Sequence, residues 1–390
     1  MKYNKLGLFL LVAALGTNLL GCENQFFHSG QSTNKETAKV KEIIANKENL
    51  QRIDKQKKLE RLRKNEALLQ KKIEDYLVSN NNSGSVFVEQ NNQILFNEGV
   101  GYANVEKKIL NEPATTYPIA SITKIFVATS IMKLQEQQKL TIQDPISKYI
   151  PNFPNGDKIK LYNFLTHTSG IQRPHWHKGD TTPISLVREI EKMPLKFQPG
   201  EKWDYLDANY MVLGYVIEKI TGGSLHDFIK KNIIDKVPLN ETGFITSEHP
   251  VPYTSVGYLT KNNKIEPTKY LNTYALFGCG DIYATASDLS QFDQALMNGK
   301  LVSKESLNQM LTPSTKSTYG LGLYNRGNFV FSVGVLGGWY TMHAYYNDKT
   351  SIVILLNDRS KGTHNIENIT ADIYHMVKDT MNPVEPSPNS

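Results

Sequence analysis

The most informative segment of this 390-residue chain reads YPIASITK and occupies residues 117–124. Apolar residues continue beyond it and predict a helix over 121–138, with Ser121 at the positive end of the helix dipole. Lys124 follows three residues later, so the two side chains share one face. A serine hydroxyl becomes nucleophilic only when a neighbour takes its proton, and a lysine shielded from water has a lowered pKa and can share that work. The spacing predicts a serine nucleophile; the alternative is an N-cap serine beside a surface lysine.

The hydropathy pattern on either side of this helix has the period of strands. Short runs of β-branched and aromatic residues predict strands at 85–89 and 94–102, and again at four places within 319–356. Helical spacing fills the interval between them and returns at 365–378. Strands at both ends with helices between them predict one α+β domain whose terminal strands share an antiparallel sheet.

Four more segments follow YPIASITK along the chain. They read LTHTSGI at 165–171, QPGEKWDY at 198–205, LGYVIE at 213–218 and GDIYATASDL at 280–289. Together they resemble the β-lactamase-related serine hydrolases, in the branch of class C β-lactamases, D-alanyl-D-alanine carboxypeptidases and penicillin-binding proteins. Within that branch the chain is most similar to small penicillin-binding proteins and teichoic-acid D-alanyl esterases. The likeness implies a β-lactamase/transpeptidase-like fold, an antiparallel sheet with flanking helices and an all-helical subregion, and no cofactor or metal.

The resemblance also implies a reaction. Ser121 attacks an acyl carbonyl to give an acyl-enzyme, and Lys124 hydrogen-bonds the serine. Tyr205 takes the place of the second-motif tyrosine, acts as general base and later activates the deacylating water. A free phenol has a pKa of about 10 and needs positive charge beside it to act as a base, and Lys124 is the candidate cation.

The family's third motif aligns with residues 335–337, which read VLG. On that alignment the resemblance implies an oxyanion hole formed by the backbone N–H groups of Ser121 and Gly338. Gly337 and Gly338 carry no side chain, so a substrate carbonyl can approach the backbone closely.

Two positions depart from the family's pattern. Asp207 stands where the second motif usually has Asn, and Val335 stands where the third motif usually has Lys or His. Val335 cannot bind the carboxylate that β-lactams and peptidyl-D-Ala-D-Ala present, whereas Asp207 can hold a substrate ammonium. D-alanine esterified to a teichoic acid carries an ammonium and no carboxylate, so the exchange favours that substrate. The alternative is that Asp207 only hydrogen-bonds Lys124.

The N-terminus has the pattern of a targeting segment. Lys2 and Lys5 precede an apolar run over 6–15, and Gly21-Cys22 follows. This pattern resembles a bacterial lipoprotein signal at 1–22, in which Cys22 is lipidated. It predicts a membrane-tethered protein on the extracytoplasmic face; the alternative is an ordinary cleaved signal with a coincidental cysteine.

Charge and composition divide the rest of the chain. Residues 23–81 are predicted as a charged helical stalk, residues 82–382 as the hydrolase domain, and residues 383–390 as a disordered tail. The net charge of +6 lies before residue 81. Two interpretations of the stalk stay equally open: it rests on anionic lipid or wall polymer, or it is a solvated helix without a partner. Residues 81–390 show no basic cluster, which argues against nucleic-acid binding.

Several other residues are of types that can act in catalysis or bind metals, but their positions favour a structural role. Lys349 stands in a turn before the last strand, and Ser287 is typical of a helix N-cap. The histidines at 175–177 lack a third metal ligand at a fixed spacing. His167 orders its own loop, and Cys279 is a small buried residue without an activating base beside it in sequence.

The sequence therefore predicts a lipid-anchored serine acyl hydrolase that acts on D-alanyl groups of a cell-envelope polymer, either teichoic acid or peptidoglycan, through Ser121, Lys124 and Tyr205. One alternative is a D-alanyl-D-alanine carboxypeptidase or a weak class C-like β-lactamase. Another is a catalytically weak envelope-binding lipoprotein that keeps the fold.

Overall fold

The computed structural model describes residues 30–174, 182–261, 264–268, 271–359 and 365–381. The predicted signal with Cys22, the histidines at 175–177 and the predicted tail at 383–390 lie outside these residues. The chain divides into two compact units, residues 1–63 and 64–390. No helix within the described ranges is both long and apolar enough to cross a membrane.

The helices are α1 Gly30–Ser79, α2 Thr123–Glu136, α3 Leu161–Leu165, α4 Pro183–Glu191, α5 Asp207–Thr221, α6 Leu225–Asn232, α7 Ala286–Met297, α8 Lys304–Leu311 and α9 Ile366–Met381. The strands are β1 Gly84–Gln90, β2 Gln93–Val100, β3 Tyr102–Asn104, β4 Ile109–Leu110, β5 Tyr117–Pro118, β6 Gly243–Phe244, β7 Tyr258–Lys261, β8 Lys264–Pro267, β9 Ile282–Ala284, β10 Tyr324–Asn325, β11 Phe329–Leu336, β12 Trp339–Tyr346 and β13 Thr350–Leu356.

The main sheet has six strands in the order β10-β11-β12-β13-β1-β2. Its pairings are antiparallel, and β1 joins β13 with Gly84 opposite Leu356. The terminal strands thus share one sheet, and the predicted α+β fold with an antiparallel sheet and flanking helices is confirmed.

The side chains of the central strands alternate between two hydrophobic layers, because successive residues of a strand point to opposite faces. Phe87 and Val353 pack on the side of α2, in the larger core. Val86 and Ile354 pack on the other side, together with buried residues of α9. Burial on both faces explains why these strands are continuously apolar.

The hydrolase domain begins earlier than the sequence predicts. Leu69, Ile73 and Leu77 recur every four residues along α1 and are fully buried in the second core layer. Lys72 donates to Thr380 over 3.2 Å and Tyr76 to Asp372 over 2.6 Å, both on α9. The predicted boundary at 82 is therefore wrong, because residues 64–79 pack into the domain and do not belong to a stalk.

Helix α2 occupies the interior of the larger core. Phe126 stacks on Phe292 of α7 with ring centroids 4.1 Å apart, and both rings are fully buried. The helix predicted at 121–138 covers Thr123–Glu136 in the structure, and a 3-10 turn at Ala120–Ile122 precedes it. Ser121 therefore lies in a tight turn at the head of α2.

Candidate active site

The backbone before α2 is held in an unusual conformation. Ala120 has a φ of 49°, a left-handed value that non-glycine residues adopt rarely and at a cost. The neighbouring Ile119 is fixed at both ends, because its N–H donates to the carbonyl of Ile282 over 3.0 Å and its carbonyl accepts from Thr341 Oγ1 over 3.1 Å. These contacts set the direction in which Ser121 leaves the turn.

Ser121 and Lys124 meet as the spacing predicts. Lys124 Nζ donates to Ser121 Oγ over 2.9 Å, and the lysine side chain is completely buried. Nζ also donates to the carbonyl of Cys279 over 3.1 Å and pairs with Asp207 Oδ1 at 2.8 Å. The ammonium thus has an acceptor on three sides.

The protonation state of Lys124 differs from the expectation. Burial by itself would lower the pKa of the ammonium, but the facing oxygens of Tyr205 and Asp207 outweigh burial and raise the pKa above its usual range. The predicted lowering of the lysine pKa is therefore wrong. Lys124 remains a cation at neutral pH and cannot accept the serine proton.

Tyr205 reaches this cluster although it lies 84 positions after Ser121 in the chain. The Tyr205 ring is half-buried, and its centroid lies 5.0 Å from Lys124 Nζ. The ring packs against His167 at 4.2 Å and edge-on against Tyr319 at 6.0 Å. Ser121 and the ring of Tyr205 thus both lie beside the ammonium of Lys124.

Asp207 is the first residue of α5, where the helix dipole favours a carboxylate. Oδ1 pairs with Lys124, yet 48% of the side chain is exposed. Oδ2 has no hydrogen-bond partner within the part of the chain that the structure describes. The carboxylate therefore binds the buried lysine with one oxygen and presents the other to solvent.

The expected oxyanion donor Gly338 is occupied elsewhere. Its N–H donates to Thr268 Oγ1 over 2.9 Å, and a Cβ at this position would lie 2.1 Å from the backbone nitrogen of Tyr258. The carbonyl of Gly337 accepts from Arg359 over 3.2 Å. These glycines form the tip of the β11–β12 hairpin, packed on Gly257, Tyr258 and Thr268, so their predicted place in the oxyanion hole is wrong.

The residue of β11 that approaches the serine turn is Gly334. A Cβ on Gly334 would lie 2.2 Å from the carbonyl oxygen of Ile119, two residues before Ser121. Leu336 and Trp339 face each other across a two-residue loop and form a hydrogen-bonded pair of the hairpin. The next pair, Val335 with Tyr340, is therefore a non-hydrogen-bonded pair, and the N–H of Val335 points away from β12. Among the described residues, β10 pairs with β11 at Val330 and Phe331 alone, so Val335 N–H lies on the open edge of β11.

This geometry moves the third motif by three residues, to positions 332–334, which read SVG. The strand β11 reads FVFSVGVL and contains no charged residue or histidine. The third motif therefore lacks a basic residue whether it is placed at 332–334 or at 335–337. As expected, strand β11 offers no cation to a substrate carboxylate.

Known proteins are similar to this chain over about three quarters of its length. The family described as Beta-lactamase matches residues 69–374. The chain belongs to the β-lactamase family. It is 39% identical over 287 residues to the putative penicillin-binding protein PbpX of Bacillus subtilis, covering 74% of this chain and 73% of that protein. It is 31% identical over 313 residues to a teichoic acid D-alanine hydrolase of Staphylococcus aureus, covering 79% and 78%.

Solved structures share the fold of this chain. The crystal structure of FmtA from Staphylococcus aureus superimposes with a TM-score of 0.72 at 29% identity, covering 81% of this chain and 88% of that chain. A D-amino acid amidase from Ochrobactrum anthropi reaches a TM-score of 0.71 at 19% identity and supports the fold alone. The chain is thus a β-lactamase-like serine hydrolase, as the sequence predicts.

The residues that the sequence set aside have structural places in this β-lactamase-like fold. Burial raises the pKa of the Cys279 thiol, and the residue acts on the site through its carbonyl, which a side-chain motif cannot reveal. The N-cap of α7 is Thr285, whose side chain accepts from the N–H of Asp288, so the N-cap assigned to Ser287 is wrong by two residues. Lys349 stands in the turn before β13, as predicted. The described residues contain no cluster of metal-binding side chains.

Proposed function

We propose that this chain hydrolyses D-alanyl esters of an anionic cell-envelope polymer, such as a teichoic acid, through an acyl-enzyme on Ser121. The observation that carries the proposal is the half-exposed Asp207 carboxylate beside the nucleophile, opposite a strand β11 without a cation. A D-alanyl ester has an ammonium for Asp207 and no carboxylate that would require a partner.

In the proposed reaction Tyr205 acts as the base, and the Lys124 ammonium lies 5.0 Å from the centroid of its ring. Ser121 Oγ attacks the ester carbonyl carbon and its proton passes to the Tyr205 oxygen. The bond between the carbonyl carbon and the polymer oxygen breaks, and the polymer leaves as an alcohol after taking that proton. Water then attacks the acyl-enzyme, gives its proton to Tyr205, and releases D-alanine while Ser121 regains its hydrogen.

The developing oxyanion needs two hydrogen-bond donors that are already in position. We assign them to the N–H of Ser121 and the N–H of Val335, because Val335 lies on the open edge of β11 directly after the glycine that approaches the serine turn. Gly334 lets the strand come close enough, since even a methyl group would collide with the Ile119 carbonyl.

Asp207 has two oxygens, and this bears on the alternative that it only supports Lys124. Oδ1 is used by Lys124 at 2.8 Å, while the exposed part of the carboxylate is available to a second cation. Both roles are therefore compatible. The name of one relative supports the substrate class, since it is a teichoic acid D-alanine hydrolase.

The test measures D-alanine released from purified D-alanylated lipoteichoic acid and, in parallel, from a muropeptide ending in D-Ala-D-Ala. We expect release from the ester polymer and none above background from the muropeptide. Ser121→Ala removes the attacking oxygen and should abolish release. Undiminished release by that variant would refute the mechanism, and release from the muropeptide alone would refute the substrate class.

Asp207→Asn tests the recognition of the ammonium. The amide keeps an oxygen for Lys124 but loses the negative charge, so kcat/KM for a D-alanyl ester should fall about tenfold relative to that for an acetyl ester of the same alcohol. An unchanged ratio between the two esters would show that Asp207 serves Lys124 alone.

A D,D-carboxypeptidase that penicillin acylates is the second candidate, because the relative PbpX is 39% identical and is named a putative penicillin-binding protein. It predicts a stable covalent adduct of labelled penicillin on Ser121 in a denaturing gel. Absence of the adduct, together with release of D-alanine from the polymer, separates the two candidates.

We also propose that a lipid on Cys22 holds the enzyme at the extracytoplasmic face of the membrane, where such polymers lie. The intact mass of the cellular protein should include the lipid, and Cys22→Ala should remove that mass and release the protein from the membrane fraction. A wild-type protein without lipid mass would refute the anchor.

A further inference from the structure

His167 is a buried histidine beside the active site that the proposed reaction does not use. It follows α3, has no exposed surface and adopts a left-handed φ of 56°. A histidine can take this conformation, but for a non-glycine residue it is uncommon. A strained and buried ring beside the proposed base calls for a physical reason.

The contacts of His167 bracket Tyr205 on both sides. The His167 carbonyl accepts from the N–H of Asp204 over 2.9 Å. The ring atom Nδ1 accepts from the N–H of Leu206 over 3.2 Å. One residue therefore fixes the backbone immediately before and immediately after the tyrosine.

The ring of His167 also supports the ring of Tyr205. The two centroids are 4.2 Å apart with an angle of 33° between the planes. Tyr319 and Tyr210 approach the same imidazole at 4.9 and 5.3 Å and close the remaining sides. Backbone and side chain of Tyr205 are thus positioned by the same neighbour.

The hydrogen-bond network selects one tautomer of the imidazole. Asn209 directs its Nδ2 to His167 Nδ1 over 3.0 Å, because its Oδ1 is taken by Ser169 Oγ at 2.5 Å. Two donors therefore face Nδ1, which must be unprotonated, and the hydrogen lies on Nε2. Nε2 is buried without a hydrogen-bond partner among the described residues.

The surroundings also favour the neutral ring. Burial and the nearby Lys124 ammonium lower the pKa of His167 well below its ordinary value. A proton on Nδ1 would face the N–H of Leu206 and would repel the lysine. The neutral state is thus required by the same contacts that hold the tyrosine.

We infer that His167 is a positioning residue, which, as the neutral Nε2–H tautomer, holds the ring of Tyr205 beside the Lys124 ammonium that binds Ser121. The inference rests on the proposed role of Tyr205 as the base and goes beyond it, because it makes the tyrosine's efficiency depend on a third residue that never touches the substrate. It predicts that His167 affects turnover and that this effect disappears when the phenol is absent.

The test compares His167→Asn with His167→Gln in the full chain. Asn tolerates the left-handed conformation and offers an oxygen near the place of Nδ1, whereas Gln places its amide near Nε2 and leaves Leu206 N–H without an acceptor. The substrate is p-nitrophenyl acetate, which does not depend on the D-alanyl proposal. Rates are expressed per active serine, counted by intact mass after complete reaction with a fluorophosphonate.

We expect kcat per active serine to fall about tenfold in the Asn variant and about a hundredfold in the Gln variant, with KM changed less than about threefold, because alignment of the base affects the chemical step. His343→Asn is the matched control: His343 is also buried, pairs with Asp293 at 2.7 Å, and takes no part in the proposed reaction. Its kcat per active serine should equal that of the wild type.

A double-mutant cycle with Tyr205→Phe gives the decisive readout, namely the rate at which the fluorophosphonate labels Ser121. In the Phe background His167→Asn should slow labelling less than about twofold, since its effect acts through the missing phenol. An equal slowing in both backgrounds would overturn the positioning role and leave His167 as a structural residue. Wild-type protein that fails to label on Ser121 would overturn both this inference and the proposed mechanism.

Discussion

Substitution of Gly334 by Ala tests how closely strand β11 must approach the turn that carries Ser121. An added Cβ would lie 2.2 Å from the Ile119 carbonyl oxygen and 2.4 Å from Thr341 Oγ1. The carbonyl is backbone and is already fixed by the hydrogen bond from Thr341, so it cannot rotate away. The strand β11 and the serine turn must therefore move apart.

The size of this movement sets the expected effect. A carbon and an oxygen that are not bonded need more than 3 Å, so the gap must widen by about 1 Å, and a misplacement of about 1 Å at a reacting centre costs about a hundredfold in rate. Overpacking also costs about 1–3 kcal/mol of folding free energy, which an otherwise stable domain survives. We expect kcat/KM per active serine to fall about a hundredfold while the protein remains folded.

The assay is hydrolysis of p-nitrophenyl acetate, with the unfolding midpoint in urea measured in parallel. Gly223→Ala is the control, because nothing lies within 4 Å of a Cβ there. Gly338→Ala collides with the backbone of Tyr258 at the hairpin tip, so it should lower the unfolding midpoint and leave the rate per active serine within about threefold. A Gly338→Ala variant that loses the rate while Gly334→Ala keeps it would refute the assignment of the motif to residues 332–334.

Three other outcomes follow from the structure. Ile73→Ala should lower the free energy of unfolding, measured in urea, by about 2–5 kcal/mol, because Ile73 is fully buried. Ile53→Ala, in the exposed part of α1, should change it by less than about 0.5 kcal/mol. Equal effects of the two substitutions would contradict the packing of residues 64–79. Burial would lower the pKa of His226, but Asp281 at 2.7 Å outweighs burial and raises that pKa. The pair therefore contributes its full stabilisation below the pKa of histidine in the unfolded chain, about 6.5, and loses it as the pH rises through the raised pKa of the folded state. Wild-type stability should therefore fall more steeply above that pH than the stability of His226→Gln, and parallel curves would exclude the linkage. Cys279 should resist alkylation by iodoacetamide at pH 8 until urea unfolds the domain, because burial raises the pKa of its thiol, and rapid alkylation of folded protein would contradict its burial.

Several elements follow from short-range patterns in the sequence. The helix predicted at 365–378 covers Ile366–Met381 in the structure, because periodic apolar residues identify a helix locally. The contact between Ser121 and Lys124 was predictable for the same reason, since three residues of helical backbone determine it.

Other features depend on residues that are distant in sequence. The start of the domain at Lys64 could not be read from α1, because its helical pattern continues across the boundary and only the sheet and α9 show which part is covered. The charge of Lys124 depends on Asp207 and Tyr205, more than eighty positions away. A motif gives residue types but not the electrostatic environment in which they fold.

The sequence by itself determined the α+β architecture, the order of the motifs and the family, because these depend on hydropathy period and on residue identity at fixed spacing. Only the tertiary structure decided that Gly334 of β11, and neither Gly337 nor Gly338 of the following loop, faces the serine turn, since a shift of three residues along a strand changes which face and which backbone groups meet the site. It likewise decided that His167 holds both neighbours of Tyr205, because the loop that carries the tyrosine folds back on a residue 38 positions earlier in the chain. Contacts of this kind are fixed by packing across the whole domain, and no local pattern encodes them.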